Sequence, residues 1–371
     1  MSAHFQILHT CSRSRARRGR LLLARGAVDT PAFMPVGTQA TVRCMTPEDL
    51  KEIGVQMVLA NTFHLYLRPG TDLIRRSGGL HAFMHWDGPI LTDSGGYQVF
   101  SLSHLRRVAD DGVLFRSPFD GSEHFLTPEL VLEIQGALGS DVILPLDVCS
   151  GYPCPLAEAR EALRRTMVWA HQSRESHRAD GQMLFGIVQG GFESGLRAEA
   201  ARQTAALDFP GLSIGGLSVG EPVELTCELL EAVVPHLPTG RPRHLLGVGV
   251  PPTIVQAVRR GIDLFDCALP TRVARTGVVF TRQGRLNLRN AAFRDDLRPV
   301  DETCGCQVCR HYTRAYLRHL FKADEMLGPR LATFHNLHFL TRLMEEIRQQ
   351  ISAGTFAQWS EAFLAQYTTT W

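Results

Sequence analysis

No apolar run in the chain approaches the roughly 18 residues that a bilayer helix requires, and no apolar leader opens it. A cytoplasmic protein without membrane attachment is therefore expected. Lysine is almost missing, so the basic character rests on arginine, and the formal net charge is only +2. A global field that marks a nucleic-acid binder is thus excluded; any basic surface has to come from local clustering. Internal repeats, low-complexity tracts and an obvious linker are also lacking, which argues against solenoids and disordered arrays. What remains is ordinary globular usage, with 371 residues of which 44% are hydrophobic and 20% charged. That length suits one large domain with a small addition.

One type of segment recurs: a short apolar run ending in Gly, Asp or polar residues. Seven stand out, PAFMPVGT (31–38), VQMVLANT (55–62), PILTDSGG (89–96), DVILPLDV (141–148), LFGIVQGG (184–191), LSIGGLSVG (212–220) and HLLGVGV (244–250), and IDLFDCAL (262–269) is an eighth. Apolar residues in continuous rather than alternating order imply strands buried on both faces. Helical stretches lie between them, with Pro in the first turn after Thr46 and Thr127 and at Pro251-Pro252, and a long amphipathic stretch from Leu156 to about Arg178. Eight such units predict an α/β fold, a (β/α)8 TIM barrel. A doubly wound open sheet is the alternative, disfavoured because polar motifs end nearly every strand instead of clustering at one switch point. Residues 1–30 read as a β-hairpin capping the barrel, with turn chemistry at Arg25-Gly26. The expected division is a catalytic barrel with its cap over 1–290 and a zinc-binding, mainly helical subdomain over 291–371.

Three apolar runs end in carboxylates: Asp93, Asp147 and Asp266. A single Asp after a strand is usually a cap or turn former. Three of them at one barrel mouth suit a nucleophile and a general acid/base acting at a sugar carbon. Gly95-Gly96, Gly190-Gly191 and Gly215-Gly216 clear side chains from the same strand ends, where a planar ligand can meet main-chain donors. Gln189 adds an amide able to read a base edge, and Asp147 can accept from ring N–H groups.

The nine cysteines are an odd number, and Cys304, Cys306 and Cys309 form C-x-C-x2-C. Such a cluster reads as metal ligands in a reducing compartment. One further ligand closes a tetrahedron, and His335 and His338 are both candidates; His311 lies too near Cys309. Three thiolates and one imidazole make a sealed structural site.

LTDSGGYQVFSL at 91–102, GIVQGG at 186–191, FDCALPTR at 265–272 and CGCQVC at 304–309 together resemble the tRNA-guanine transglycosylases of bacterial type, from about Phe5 onward. The resemblance implies Asp266 as nucleophile, Asp93 as general acid/base, and a base pocket of Asp147, Cys149, Gln189, Gly216 and Leu217 with Tyr97 stacking on the purine. It also implies Asn61 and Gln98 around the ribose, Arg272 and Arg275 on the anticodon loop, and Zn2+ on Cys304, Cys306, Cys309 and His335. The implied partners are the tRNA anticodon loop and a 7-deazaguanine base. A homodimer with Tyr316 and His319 at its interface is implied as well.

Two positions depart from the pattern: Val148 stands where bacterial members carry Glu, and Ser218 where they carry a small apolar residue. Cys149 and Val219 keep to it, which favours 7-aminomethyl-7-deazaguanine over the bulkier queuine. Outside this reading stand a retaining glycoside hydrolase on the same fold and a non-catalytic RNA-binding subunit. The second is disfavoured because both carboxylates are present.

Overall fold

Each of the eight apolar runs contains a short parallel strand in the computed structural model, which describes residues 4–102, 106–178 and 181–367. The ends of the two expected units, residues 1–3 and 368–371, lie outside the described residues. Val58–Ala60, Ile90–Thr92, Val142–Ile143 and Met183–Leu184 form one parallel sheet. Gly186–Val188, Leu212–Ile214, Arg243–Leu245, Leu264–Cys267 and Ala32–Pro35 form a second. The two sheets touch at both margins. Val36 bridges Leu59 in parallel, and residues 183–188 run without a break from the first sheet into the second, with the Phe185 N–H on Ile143 and the Gly186 N–H on Gly211. Met34, Leu59, Leu91, Leu144, Phe185, Ile187 and Leu264 fill one buried cluster between the strands.

Helices follow the strands where the start signals stand. Thr46 caps Pro47–Ile53, its hydroxyl taking the Asp49 N–H while the Asp49 carboxylate takes the Thr46 N–H. Thr127 caps Pro128–Leu138 in the same way from its side chain, Pro251 opens Pro251–Arg259, and Leu156–Ser176 is helical throughout.

The N-terminal segment has one strand more than the expected hairpin. Phe5–Thr10, Arg17–Leu23 and Gly26–Thr30 make a three-stranded antiparallel sheet, with the turn between Leu23 and Gly26. The first strand buries only Phe5, so its side chains carry no alternating signal and its pairing rests on backbone bonds. Phe5, Leu21 and Val28 extend the cluster between the parallel strands, covering one end of it. A second antiparallel sheet, Arg106–Val108, Val113–Arg116 and Glu123–Leu126, rises between the third parallel strand and its helix. The C-terminal region is helical from Gln307, preceded by a hairpin of Val278–Thr281 and Gly284–Asn287. Its 26-residue helix Leu327–Ser352 packs against helix Leu269–Arg275, strand Ala32–Pro35 and helix Pro47–Ile53. Among the described residues no helix is long and apolar enough to cross a membrane.

Candidate active site and metal centre

Because successive parallel strands point the same way, their C-terminal residues share one face, and the candidate residues fall there. Asp93 follows Ile90–Thr92 and is buried. One carboxylate oxygen accepts the Thr62 N–H at 2.9 Å; the other accepts from Gln98 Nε2 at 3.0 Å and from the Asn61 amide. Burial pushes this carboxyl up to about 6, against the opposing hydrogen bonds of Asn61 and Thr62, and the charge of Asp266 raises it further. Asp93 and Asp266 therefore feel each other across the strand ends.

Asp266 lies in Leu264–Cys267 and is equally buried. Its Oδ1 accepts from His244 Nε2 at 2.8 Å and from the Gly247 N–H at 3.2 Å. Among the described residues Oδ2 has no hydrogen-bond partner. Two carboxyl groups in unlike surroundings are the arrangement that can divide acid and nucleophile between them.

Asp147 ends the fourth run, taking the Ser94 hydroxyl at 2.6 Å on Oδ1 and Gln189 Nε2 at 2.7 Å on Oδ2. Burial raises its pKa, opposed by these two bonds. Gly96 has to lack a side chain here, since a Cβ would stand 2.6 Å from the Asp147 carbonyl oxygen. Gly216 adopts φ +67° beside the Gln189 amide, with Leu217 buried next to it. Burial drives the Cys149 thiol up to about 12, and Asp147 adds to the shift, so it stays a neutral wall of the pocket. Gly96, Phe100, Asp147, Val148 and Cys149 line a cleft of about 440 Å³, a size suited to a planar base. Tyr97, 46% exposed at the start of helix Gly96–Leu102, offers a free aromatic face.

Arg272 and Arg275 lie on helix Leu269–Arg275, one exposed and one half-buried. Arg275 donates to the Thr271 carbonyl at 3.0 Å. Burial lowers its pKa, and Arg43 and Arg272 lower it further, so both lie within electrostatic reach of Arg275.

The residues that sequence reading missed are those that hold the others. Arg197, fully buried on helix Ser194–Ala206, donates to the carbonyls of Gly191, Gly215 and Gly216 at 2.8, 2.7 and 3.0 Å. Its helix has no apolar stripe to betray an inward arginine. Ser94 is in plain view inside the DSGG motif, whereas nothing in the sequence marks Thr62, His244 or Arg43.

In the C-terminal region the sulfurs of Cys304, Cys306 and Cys309 and a ring nitrogen of His335 lie within 4.8 Å of one another. His335 Nε2 donates to the Phe280 carbonyl at 2.7 Å, which turns the Nδ1 lone pair toward the three sulfurs at 3.3–3.9 Å. His338 approaches Cys304 alone, at 3.6 Å. The donor set fits one tetrahedral metal ion with no position left open.

Two buried carboxyl groups at the strand ends, Asp93 raised in part by the charge of Asp266, are the pairing used by enzymes that displace a group at a sugar carbon. A family model for queuine tRNA-ribosyltransferase matches residues 11–369. A queuine tRNA-ribosyltransferase of Pelotomaculum thermopropionicum is 55% identical over 367 residues, 99% of either chain. One from Desulforudis audaxviator is 54% identical over 370 residues, the full length of both. The chain belongs to the queuine tRNA-ribosyltransferase family.

Proposed function

We infer that the chain is a tRNA-guanine transglycosylase, a pentosyltransferase of queuosine synthesis. In this reading it replaces the wobble guanine, position 34, of tRNAs with GUN anticodons by 7-aminomethyl-7-deazaguanine. The observation that carries the chemistry is the pair Asp93 and Asp266 at the strand ends, the first raised by burial and further by the charge of the second. Asp266 Oδ2 attacks C1′ as the bond to guanine N9 breaks, and Asp93 protonates the departing base. The incoming 7-deazaguanine then loses its N9 proton to Asp93 and attacks C1′, and the bond to Asp266 breaks. Two inversions give net retention.

Asp147, Gln189 and the main chain at Gly216 and Leu217 read the base edge, Cys149 walls the pocket, and Tyr97 stacks on the purine, which must leave the anticodon stack to enter. Asn61 and Gln98 hold Asp93 and border the ribose. The parallel strands form a closed (β/α)8 barrel, a reading supported by the contacts at both sheet margins. The barrel and its cap make one unit over 1–290, and 291–371 a second whose long helix returns to the barrel wall. Cys304, Cys306, Cys309 and His335 hold one Zn2+, which supplies a structural cross-link. The zinc unit joins two copies in a homodimer through Tyr316, 41% exposed and stacked on Tyr312, and His319. The compartment is the cytoplasm.

Labelled guanine exchange into unmodified tRNA tests the function, since a hydrolase releases a free ribosyl end instead. Run beside it, 7-aminomethyl-7-deazaguanine is expected to give a higher kcat/KM than queuine. The opposite order identifies a queuine-salvaging enzyme, whose wider pocket would trace to half-buried Val148 and exposed Ser218.

The acid form of Asp93 is present below about 6 in the free protein. With guanine exchange as readout, kcat/KM is expected to fall as pH rises through that value. Bound phosphates raise the carboxyl further, so the same limb in kcat lies at higher pH. Asp93→Asn keeps tRNA affinity and loses at least 100-fold in kcat, roughly the contribution of a general acid. Wild-type turnover in that variant removes Asp93 from the mechanism.

Arg272→Ala and Arg275→Ala each remove one cation from this group of arginines. Both should weaken tRNA binding and flatten its logarithmic salt dependence by about 0.7, the share of one phosphate contact on a single strand. Filter-binding titrations across a salt series check this; unchanged slopes at both positions contradict an anticodon-loop contact.

A further inference from the structure

His244 and Ser213 take no part in the scheme above, yet both are fully buried directly beneath the nucleophile. Ser213 lies in Leu212–Ile214 and is registered opposite His244, which is in turn registered opposite Leu264. Asp266 stands two residues beyond Leu264, and alternation along a strand returns its side chain to the same face. The three polar groups form a chain: Ser213 Oγ to His244 Nδ1 at 3.1 Å, and His244 Nε2 to Asp266 Oδ1 at 2.8 Å. A carboxylate accepts only, so Nε2 carries the proton in that contact, and in the neutral ring Nδ1 accepts from the Ser213 hydroxyl.

We propose that His244, oriented by Ser213, is a positioning residue of the glycosyl-transfer reaction that ties down Asp266 Oδ1 and thereby presents Oδ2 alone to C1′. The inference rests on Asp266 being the nucleophile. With Oδ1 bound to His244 Nε2 and the Gly247 N–H, the carboxylate cannot rotate to exchange its oxygens. After Oδ2 bonds to C1′, Oδ1 becomes the ester carbonyl oxygen and keeps both donors. When the incoming base displaces the ester, the bonding pair returns to the carboxylate, and the same two donors receive its charge. One side chain thus serves both half-reactions.

The ionisable groups facing Asp266 are Asp93 from the third parallel strand, His244 from the adjacent strand and Cys267 from its own. The Cys267 thiol is pushed up to about 12 by burial, so it takes no part in the acid side of the pH profile.

The test is single-turnover and steady-state exchange with full-length protein and unmodified tRNA. His244→Phe keeps the ring volume and removes the donor. It is expected to lower kcat by about 10- to 100-fold with KM for tRNA unchanged, and to shift the acid limb of kcat/KM upward, because the charged Asp266 has lost a donor. His244→Gln restores an N–H at similar reach and should recover most of the rate and the original limb, a rescue that a purely structural role would not produce. Ser213→Ala, a one-hydroxyl change, carries the test if His244→Phe fails to fold, and should shift the same limb by less. A wild-type rate and profile in His244→Phe, or in Ser213→Ala where Phe does not fold, overturns the proposal, as does equal loss in Phe and Gln. Asp266→Asn run alongside separates the two readings: exchange by that variant fails the nucleophile itself, whereas a dead Asp266→Asn beside a fully active His244→Phe fails only the positioning role.

Discussion

Asp266→Asn is expected to abolish guanine exchange together with the covalent protein–RNA adduct trapped on denaturing gels. An amide oxygen carries no full charge and is too weak a nucleophile to bond C1′. The substitution is close to isosteric, and the Gly247 N–H and His244 can still meet the amide oxygen, so folding and tRNA binding should persist. Loss of the nucleophile in a serine protease costs on the order of 10⁶-fold in kcat, and a loss approaching that size is expected here. A stable adduct formed by the variant would falsify the assignment of Asp266.

The second large effect lies far from the chemistry. Cys306→Ala or His335→Ala should release the metal and lower the melting temperature by on the order of 10 °C, since structural zinc contributes folding free energy directly. Cys306 is 2% exposed and His335 0%, so neither vacancy is filled by solvent without cost. His335 stands on the helix that packs against strand Ala32–Pro35, helix Pro47–Ile53 and helix Leu269–Arg275. Loosening the metal end is therefore expected to reach the arginine patch and reduce tRNA affinity before the barrel itself unfolds. Elemental analysis should give one zinc per chain; a chelated, metal-free protein with an unchanged melting curve contradicts a structural site.

Much of this arrangement is legible in the sequence. Continuous apolar runs ending in Asp, Gly and Gln can hardly be anything but buried parallel strands, and each produced one. Caps at Thr46 and Thr127 were legible because one hydroxyl and one proline suffice to start a helix. The antiparallel sheet at 106–126 was not, because its strands are three or four residues long and largely exposed. Arg197 was hidden by a different cause. A buried arginine is stabilised by carbonyl oxygens of residues 191, 215 and 216, and main-chain acceptors leave no trace in residue type. His244 was invisible for a related reason: inside HLLGVGV it reads as a polar interruption, and only the strand register shows that it lies beneath Asp266.

The bonds that Asp147 makes to Ser94 and Gln189 have a consequence for selectivity. In the proposed role of Asp147, the pocket's own side chains act as a tethered competitor that any visiting base has to outbid. Hydrogen bonds to a charged group are worth about 1.5–3 kcal/mol each, so a base able to replace only one of the two arrives at a deficit of roughly 10- to 100-fold. In that role, adenine and the pyrimidines, which cannot present a ring N–H beside an exocyclic amine to one carboxylate as guanine does, would be refused for want of hydrogen bonds and not by any clash. Fidelity in that scheme depends on how strongly Ser94 and Gln189 hold Asp147.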